Sequence, residues 1–450
     1  MKIVDLIAFI PLCLFLISPL IQIVREIITP HRVSVFFGPI FTYPGTIEII
    51  HLIAAVVAAI LWILLVSKWV KQLRSGKRPE LFLPLVLFVT LSVWMYISQS
   101  VNGFTEYAYT GEPYRNESLF FYMLYLLAYF LFGTVVKTER LRKFAVMAFL
   151  GSNLAVGILV LIDYYVTRLS FFQDSEGVAA VFHQFNHYGY YLVFGILLSA
   201  MLFVAAEEKT WVRVTCAVIY LVDVYILILN NTFGCYLAVV AALVFGTIVL
   251  VVSRRNRNEI IRMIAVFLTL VLVTLGMRVF GISNSQDVSK LVKDVGDIAS
   301  DNENASSAGT GRWALWTHTV EYIKEKPVFG WGVEGMTEKL GDEEDTINNR
   351  PHNEYLQWAA FFGIPAALLY LAALCVIMFG MFPFLKHLES VSLACFIASA
   401  GYIVSSLFGN TMYYTTPFFF IFLGMTYCSR FYQRQSEGAD KEETGRESVA

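Results

Sequence analysis

Apolar residues along this chain fall in blocks of about 20, the length a helix needs to cross hydrocarbon. The blocks run at about 6–24, 47–66, 80–100, 118–136, 144–163, 187–206, 214–229, 233–252, 262–281, 357–381, 390–408 and 411–428. Each predicts a membrane helix. The first has no A-x-A-like cleavage site and is expected to be a retained helix rather than a signal peptide. The pattern therefore predicts an all-α, polytopic integral membrane protein with about 12 transmembrane helices and a large, partly helical outer loop. That loop is residues 282–356, far longer than any other connection. It opens with Ser283–Ala308, rich in Asp, Asn and Ser. An amphipathic stretch follows, Trp313–Lys326, with Trp313, Leu315, Trp316, Val320 and Ile323 as its apolar positions. Such a helix is expected to lie on the membrane surface or over a cavity. The chain divides into a first membrane region of nine helices (1–281), the loop (282–356), three last helices (357–428) and a polar tail (429–450) expected to be disordered.

Basic residues orient this array. Lys68, Lys71, Arg74, Lys77 and Arg78 follow the second block. Lys137, Arg140, Arg142 and Lys143 follow the fourth, Lys209 and Arg213 the sixth, and Arg254, Arg255 and Arg257 the eighth. The alternate short loops carry only Arg25, Arg32, Arg115 and Arg168. Both termini are therefore expected on the cytoplasmic side, and the long loop outside. Composition agrees: 57% of residues are hydrophobic and 15% charged, against about 25% charged in soluble domains. A soluble enzyme, a disordered chain and a fibrous repeat are excluded. A net charge of −2 offers no field for nucleic acid. The six cysteines lie in or beside apolar blocks, with no CxxC, and suggest neither a disulfide framework nor a zinc site.

The outer side collects the groups that carry chemistry. The loop contains Gly309-Thr310-Gly311-Arg312, then Lys326-Pro327-Val328-Phe329-Gly330-Trp331-Gly332, then Pro351-His352-Asn353-Glu354-Tyr355-Leu356-Gln357 at the start of a membrane helix. Arg312 is a permanent cation whose planar fork suits phosphate oxygens. Gly311 beside it permits close backbone approach. His352 stands at a helix start, where the dipole disfavours the imidazolium and suits the ring to act as a base. Asn353 either orients the site or caps the helix. Arg115 and Glu117 precede the fourth block, as an interfacial ion pair or as ligand contacts. Asn186 and His187, with His183, enter the sixth and fit sugar or phosphate hydrogen bonding better than a metal, since no carboxylate accompanies them at ligand spacing. Arg278 ends the ninth block, snorkelling or facing a cavity. Trp316 and Trp331 either stack on sugar rings or anchor packing. Asp223 lies at midplane depth, where a carboxylate is costly unless paired.

GTGRWALW, P-x-x-G-x-G and HNEYLQWAAFFG, in that order within one outer loop, resemble the signature of the O-antigen ligase/polymerase superfamily. Gly311, Arg312, Trp316, Pro327, Gly330, Gly332, His352, Asn353, Leu356 and Gly363 carry the resemblance, over about residues 305–365. One departure stands out. Many relatives carry Ser-Arg at the turn between the seventh and eighth spans, whereas this chain has Asn230-Asn231-Thr232-Phe233-Gly234. A second diphosphate contact is then expected from Arg115, Arg278 or Arg25.

The resemblance implies a membrane glycosyltransferase of the bacterial cytoplasmic membrane that uses a polyprenyl-diphosphate-linked glycan as donor. The long loop is its catalytic element, with His352 as base and Arg312 as diphosphate clamp. Glu117, Arg115, Asn186, His187, Arg278, Gly311, Trp316 and Asn353 are candidate substrate contacts. No cofactor or metal is implied, and single-step displacement inverts the anomeric carbon. The partners are the lipid-linked donor, a glycan or lipid acceptor, and other polysaccharide-assembly proteins. Polymerase and ligase share this step. The rival reading is a 12-span transporter or lipid-linked glycan flippase, for which Asp223 is the one midplane feature.

Overall fold

The structure is a computed structural model. It describes residues 13–28, 66–76, 82–112, 117–136, 138–169, 178–182, 184–205, 207–282, 311–336, 350–413 and 415–427, with a few isolated positions besides. Among these, no strand occurs and helices dominate. In chain order they are α1 (Ser18–Ile28), α2 (Phe82–Asn102), α3 (Glu106–Thr110), α4 (Leu119–Val135), α5 (Glu139–Tyr165), α6 (Phe185–Val204), α7 (Thr210–Asn230), α8 (Phe233–Val252) and α9 (Arg257–Val279). After the long loop's start come α10 (Arg312–Glu325), α11 (Glu354–Phe362), α12 (Ile364–Met381), α13 (Ser390–Ser405) and α14 (Thr416–Tyr427).

Eight of the described helices are long and apolar enough to cross a membrane, and two shorter apolar ones occupy Leu119–Phe130 and Thr416–Tyr427. Those ten correspond to ten of the twelve predicted blocks. Of the other two, 6–24 is described only in part, where α1 begins, and 47–66 lies almost wholly outside the described residues. The chain is an all-α, multi-pass membrane protein.

Two blocks differ from expectation. The block at 357–381 is not one helix: α11 starts earlier, ends at Phe362, and Gly363 (φ +87°) separates it from α12. A residue in that left-handed region cannot continue a helix, and Pro365 in the next turn fits a new start. The last block is helical only from Thr416, after an irregular segment at 409–415.

Helix α6 is the centre of the bundle. It packs against α5, α7, α8, α9 and α13, and 94% of its apolar window is buried within the protein, against 22% for the peripheral α9. Without a hydrophobic drive between helices in lipid, close approach depends on small residues. Gly195 of α6 is such a contact: a Cβ there would lie 2.3 Å from Asp223 Oδ2 and 2.5 Å from Asn153 Nδ2. Gly401 of α13 likewise lets Leu197 in. Asp223 itself is fully buried and accepts a hydrogen bond from the Asn153 amide. The midplane carboxylate that favoured a transport reading is thus held by an amide on the neighbouring α5.

At the end of the bundle away from the long loop, Arg142 pairs with Glu389, Lys143 with Glu208, and Arg255 with Glu207 at 3.9 Å. These are the basic clusters expected on the cytoplasmic side. They tie the starts of α5 and α13 to the connections after α6 and α8.

If α6 is held by this close approach, Gly195→Val overpacks the α5–α6–α7 junction and destabilises the protein by about 1–3 kcal/mol. Thermal unfolding of the purified protein in detergent measures it. An unchanged melting curve would show that the three helices separate freely.

Candidate functional site

The break after α11 is the structural basis of the site. A helix end leaves its last carbonyls without partners, and within a bundle something must supply donors. Residues 327–336 of the long loop do so as a strap. Trp331 N–H donates to Ala360 O and Gly332 N–H to Phe361 O, both at 2.8 Å, and Ile364 N–H donates back to Pro327 O at 2.8 Å. Trp94 Nε1 on α2 donates to Phe362 O at 2.9 Å, and Gly363 N–H to Ala359 O. All four terminal carbonyls of α11 are therefore accounted for. The P-x-x-G-x-G motif and the late Gly363 are two halves of one junction. A Cβ on Gly363 would meet Val328 O at 2.0 Å, and one on Gly330 (φ +60°) would meet Ala360 O and Phe361 O at 2.6 Å.

Helix α2 braces the other side of the strap. Ser98 Oγ donates to Phe329 O at 2.5 Å, Gln99 Oε1 accepts from Val333 N–H at 2.9 Å, and the Trp94 and Phe329 rings stack with centroids 5.5 Å apart. Trp331 Nε1 donates to Tyr322 O of α10 at 2.9 Å, and Lys326 Nζ sits 4.1 Å from its ring centroid. Of its two readings, Trp331 takes the packing one.

A second junction lies next to it. Arg350 is fully buried, as are Glu117 and Glu334. Its Nη1 donates to Glu117 Oε2 at 2.6 Å and to Thr411 O at 3.1 Å; its Nε donates to Glu334 Oε1 at 2.9 Å, and Nη2 pairs with the same carboxylate. Tyr125 OH donates to Glu117 Oε1 at 2.5 Å and Thr411 Oγ1 to Oε2 at 3.0 Å. Burial alone would lower the guanidinium's pKa. The charges around it, Glu334 foremost, outweigh that and hold Arg350 well above the ordinary arginine value. Glu117, a candidate substrate contact, is engaged in this junction and closed to the outside. Arg350 and Glu334 carry no motif, so nothing in the sequence separated them from other loop charges.

The candidate catalytic groups lie at the starts of α10 and α11, two helices that pack against each other. Arg312 is the first residue of α10, half-buried, after Gly311 (φ +83°), and that helix start has no side-chain cap. Its charge is felt at Tyr190 of α6 and Cys235 of α8, and Tyr190 also lies within Coulombic reach of Glu354 of α11. The Tyr190 hydroxyl donates to Phe408 O at 2.9 Å. Asn186 and His187 are buried in the first turn of α6 beside it. Where relatives place Ser-Arg, Asn230 Nδ2 instead donates to Val178 O at 2.6 Å and Phe185 O at 2.7 Å, pinning the entry of α6 to the α7–α8 turn.

His352 is half-buried with φ +47°. The open question about Asn353 resolves to capping: its Oδ1 accepts from Tyr355 N–H and Leu356 N–H, each at 3.1 Å. Glu354 is buried and receives Tyr370 OH at 2.6 Å and Tyr402 OH at 3.0 Å.

The remaining candidates fall elsewhere. Trp316 is half-buried with its ring 6.4 Å from Trp313. The buried face of α10 is Leu315, Thr319, Tyr322 and Ile323, so the expected stripe is rotated and Val320 points outward. Arg278 is exposed in the last turn of α9. Arg115 and His183 lie outside the described residues, as does the Arg25 side chain. Among the described residues no three His, Cys, Asp or Glu side chains form a group that would hold a metal ion.

A multi-pass helical membrane protein, with a broken helix clasped by a strap from its long loop and an arginine at an uncapped helix start, is the class these observations define. Residues 216–371, from α7 into α12, match the family described as O-antigen ligase. The matched stretch is about a third of the chain, and all three loop motifs lie inside it. No curated protein matches the chain.

The strap is testable without substrate. Gly330→Val removes its close approach and about 0.5–1.5 kcal/mol for each backbone bond lost. Limited trypsinolysis of the purified protein is expected to open a new cleavage at Lys324. Unchanged protection would mean that the strap does not depend on this junction.

Proposed function

We propose that this protein is a glycosyltransferase that takes a glycan from a polyprenyl-diphosphate carrier at the outer side of the bacterial cytoplasmic membrane and joins it to a hydroxyl of a second glycan or lipid. The O-antigen ligase domain supports a membrane glycan-processing function of the ligase or polymerase type. The observation that carries the finer reading is the setting of Arg312, a permanent cation in the first turn of α10, a helix packed against α11, whose N-cap Asn353 directly follows His352.

The chemistry follows from those groups. Diphosphate oxygens fit a guanidinium fork bidentately, and an uncapped helix start favours the same charge. His352, kept neutral beside the dipole of α11, takes the proton of the acceptor hydroxyl. The hydroxyl oxygen bonds to the anomeric carbon as that carbon's bond to the diphosphate oxygen breaks. The electron pair leaves with the diphosphate, where Arg312 stabilises the growing charge. Attack from the face opposite the leaving group inverts the anomeric centre. The leaving group is already activated, so the scheme calls on no metal or nucleotide. Asn186, His187 and Trp316 line the approach as glycan or phosphate contacts.

The test uses His352→Gln at normal protein levels in the native host, with surface glycans sized by gel and lipid-linked intermediates identified by mass spectrometry. Collapse of a long ladder to single units identifies a polymerase, and long glycan stranded on the carrier identifies a ligase. Unchanged glycans would remove His352 from the chemistry. Arg312→Lys is expected to lower turnover about 100- to 1,000-fold, the range for losing one oriented donor to a developing anion. Turnover of the purified enzyme is expected to survive EDTA, and its loss would overturn the metal-free scheme.

A further inference from the structure

We infer that Arg350 is a positioning residue that sets His352 in place by clamping the long loop to the membrane helices, a role resting on the reading of His352 as base. Arg350 lies two residues before His352, with only Pro351 between them. A proline fixes its own φ and restricts the residue before it, so little conformational slack separates the anchor from the imidazole. On the other side, Asn353 is locked by capping α11. His352 is therefore held from both neighbours.

Backbone strain points the same way. His352 at φ +47° and Glu334 at φ +57° both occupy the left-handed region, which a non-glycine residue holds only when its surroundings over-determine it. Both are tied to Arg350, one through Pro351 and the other through the ion pair. The guanidinium joins three otherwise separate pieces: Glu117 before α4, Glu334 at the end of the strap, and Thr411 before α14. Its charged face lies 5.6 Å from the Phe361 ring on α11. With no exposed surface and with its Nε and both Nη atoms committed, Arg350 is closed to a substrate phosphate. Its geometry is that of a brace.

A lysine preserves the charge but lacks the planar fork that reaches both carboxylates. The experiment is Arg350→Lys in the purified full chain, with lipid-linked glycan extracted from the native host as substrate. Three quantities are read: turnover, donor dissociation constant, and donor-binding sites per chain. A displaced base is expected to cost about a hundredfold in kcat, the order that a misplacement of about 1 Å costs. The donor constant stays within about threefold and one site per chain remains. A protein that has merely lost structure loses binding sites in proportion to turnover, and that result overturns the inference. So does a kcat within about threefold of the unaltered protein. If Arg350→Lys does not fold, Glu334→Gln serves, since its amide oxygen still accepts from the guanidinium while the charge is gone. A loss of about tenfold in kcat with donor binding intact supports the brace, and full kcat refutes it. His352→Gln in the same assay separates the two readings. If it remains active, His352 is not the base, whatever Arg350 does. If it is inactive while Arg350→Lys is not, only the brace falls.

Discussion

A helix that stops inside a bundle leaves carbonyls that only another part of the chain can satisfy. In this protein that constraint falls on the end of α11, and the rest of the outer architecture follows from it. The strap supplies the missing N–H groups to Ala360 and Phe361. To do so it must run beside Gly363 at a distance that admits no side chain, and it must carry glycine at 330. Helix α2 then braces the strap, and α10 is fastened to it through Trp331 and Tyr322. Residues 311–336 of the loop are in this way an integral part of the packed protein.

The two arginines of the outer side divide the electrostatic work by burial. Arg350 is sealed between two carboxylates and holds chain segments together. A charge so placed is costly to expose or to leave unpaired, and that cost makes the junction rigid. Arg312 remains half-buried at a helix start, where its charge adds to the dipole of α10. One cation is used up by the protein, and the other keeps part of its surface exposed. The same division applies to the acids. Glu117 and Glu334 serve the clamp, Glu354 is satisfied by two tyrosines, and Asp223 is held by an amide deep between α5 and α7.

Much of the fold was legible because membrane helices are specified locally. Runs of apolar residues long enough to cross hydrocarbon must form helices, since no other partner exists for their backbone groups. The ends of α8 agree with the hydropathy block at both residues. The amphipathic α10 was visible from its apolar spacing: Leu315 and Ile323 are buried as expected, Thr319 and Tyr322 join them, and Val320 does not. The motif residues were visible as types: a cation, a histidine, and glycines at set spacings. What the glycines were for was not visible. Their reason is a contact between residues 330 and 363, and no local pattern reports a contact between strangers along the chain.

The sequence by itself determined the class of protein, the place of the ten apolar helices that the described residues contain, and the residue types on offer in the long loop, because each is set by local composition and period. Only the tertiary structure decided which charge is buried and which is presented. It turned Glu117 from a candidate ligand contact into part of a brace, made Asn353 a cap, split one predicted span in two and brought forward Arg350. The physical reason is burial: whether a charged side chain serves a ligand or the fold depends on what surrounds it, and those surroundings are assembled from segments that only folding brings together.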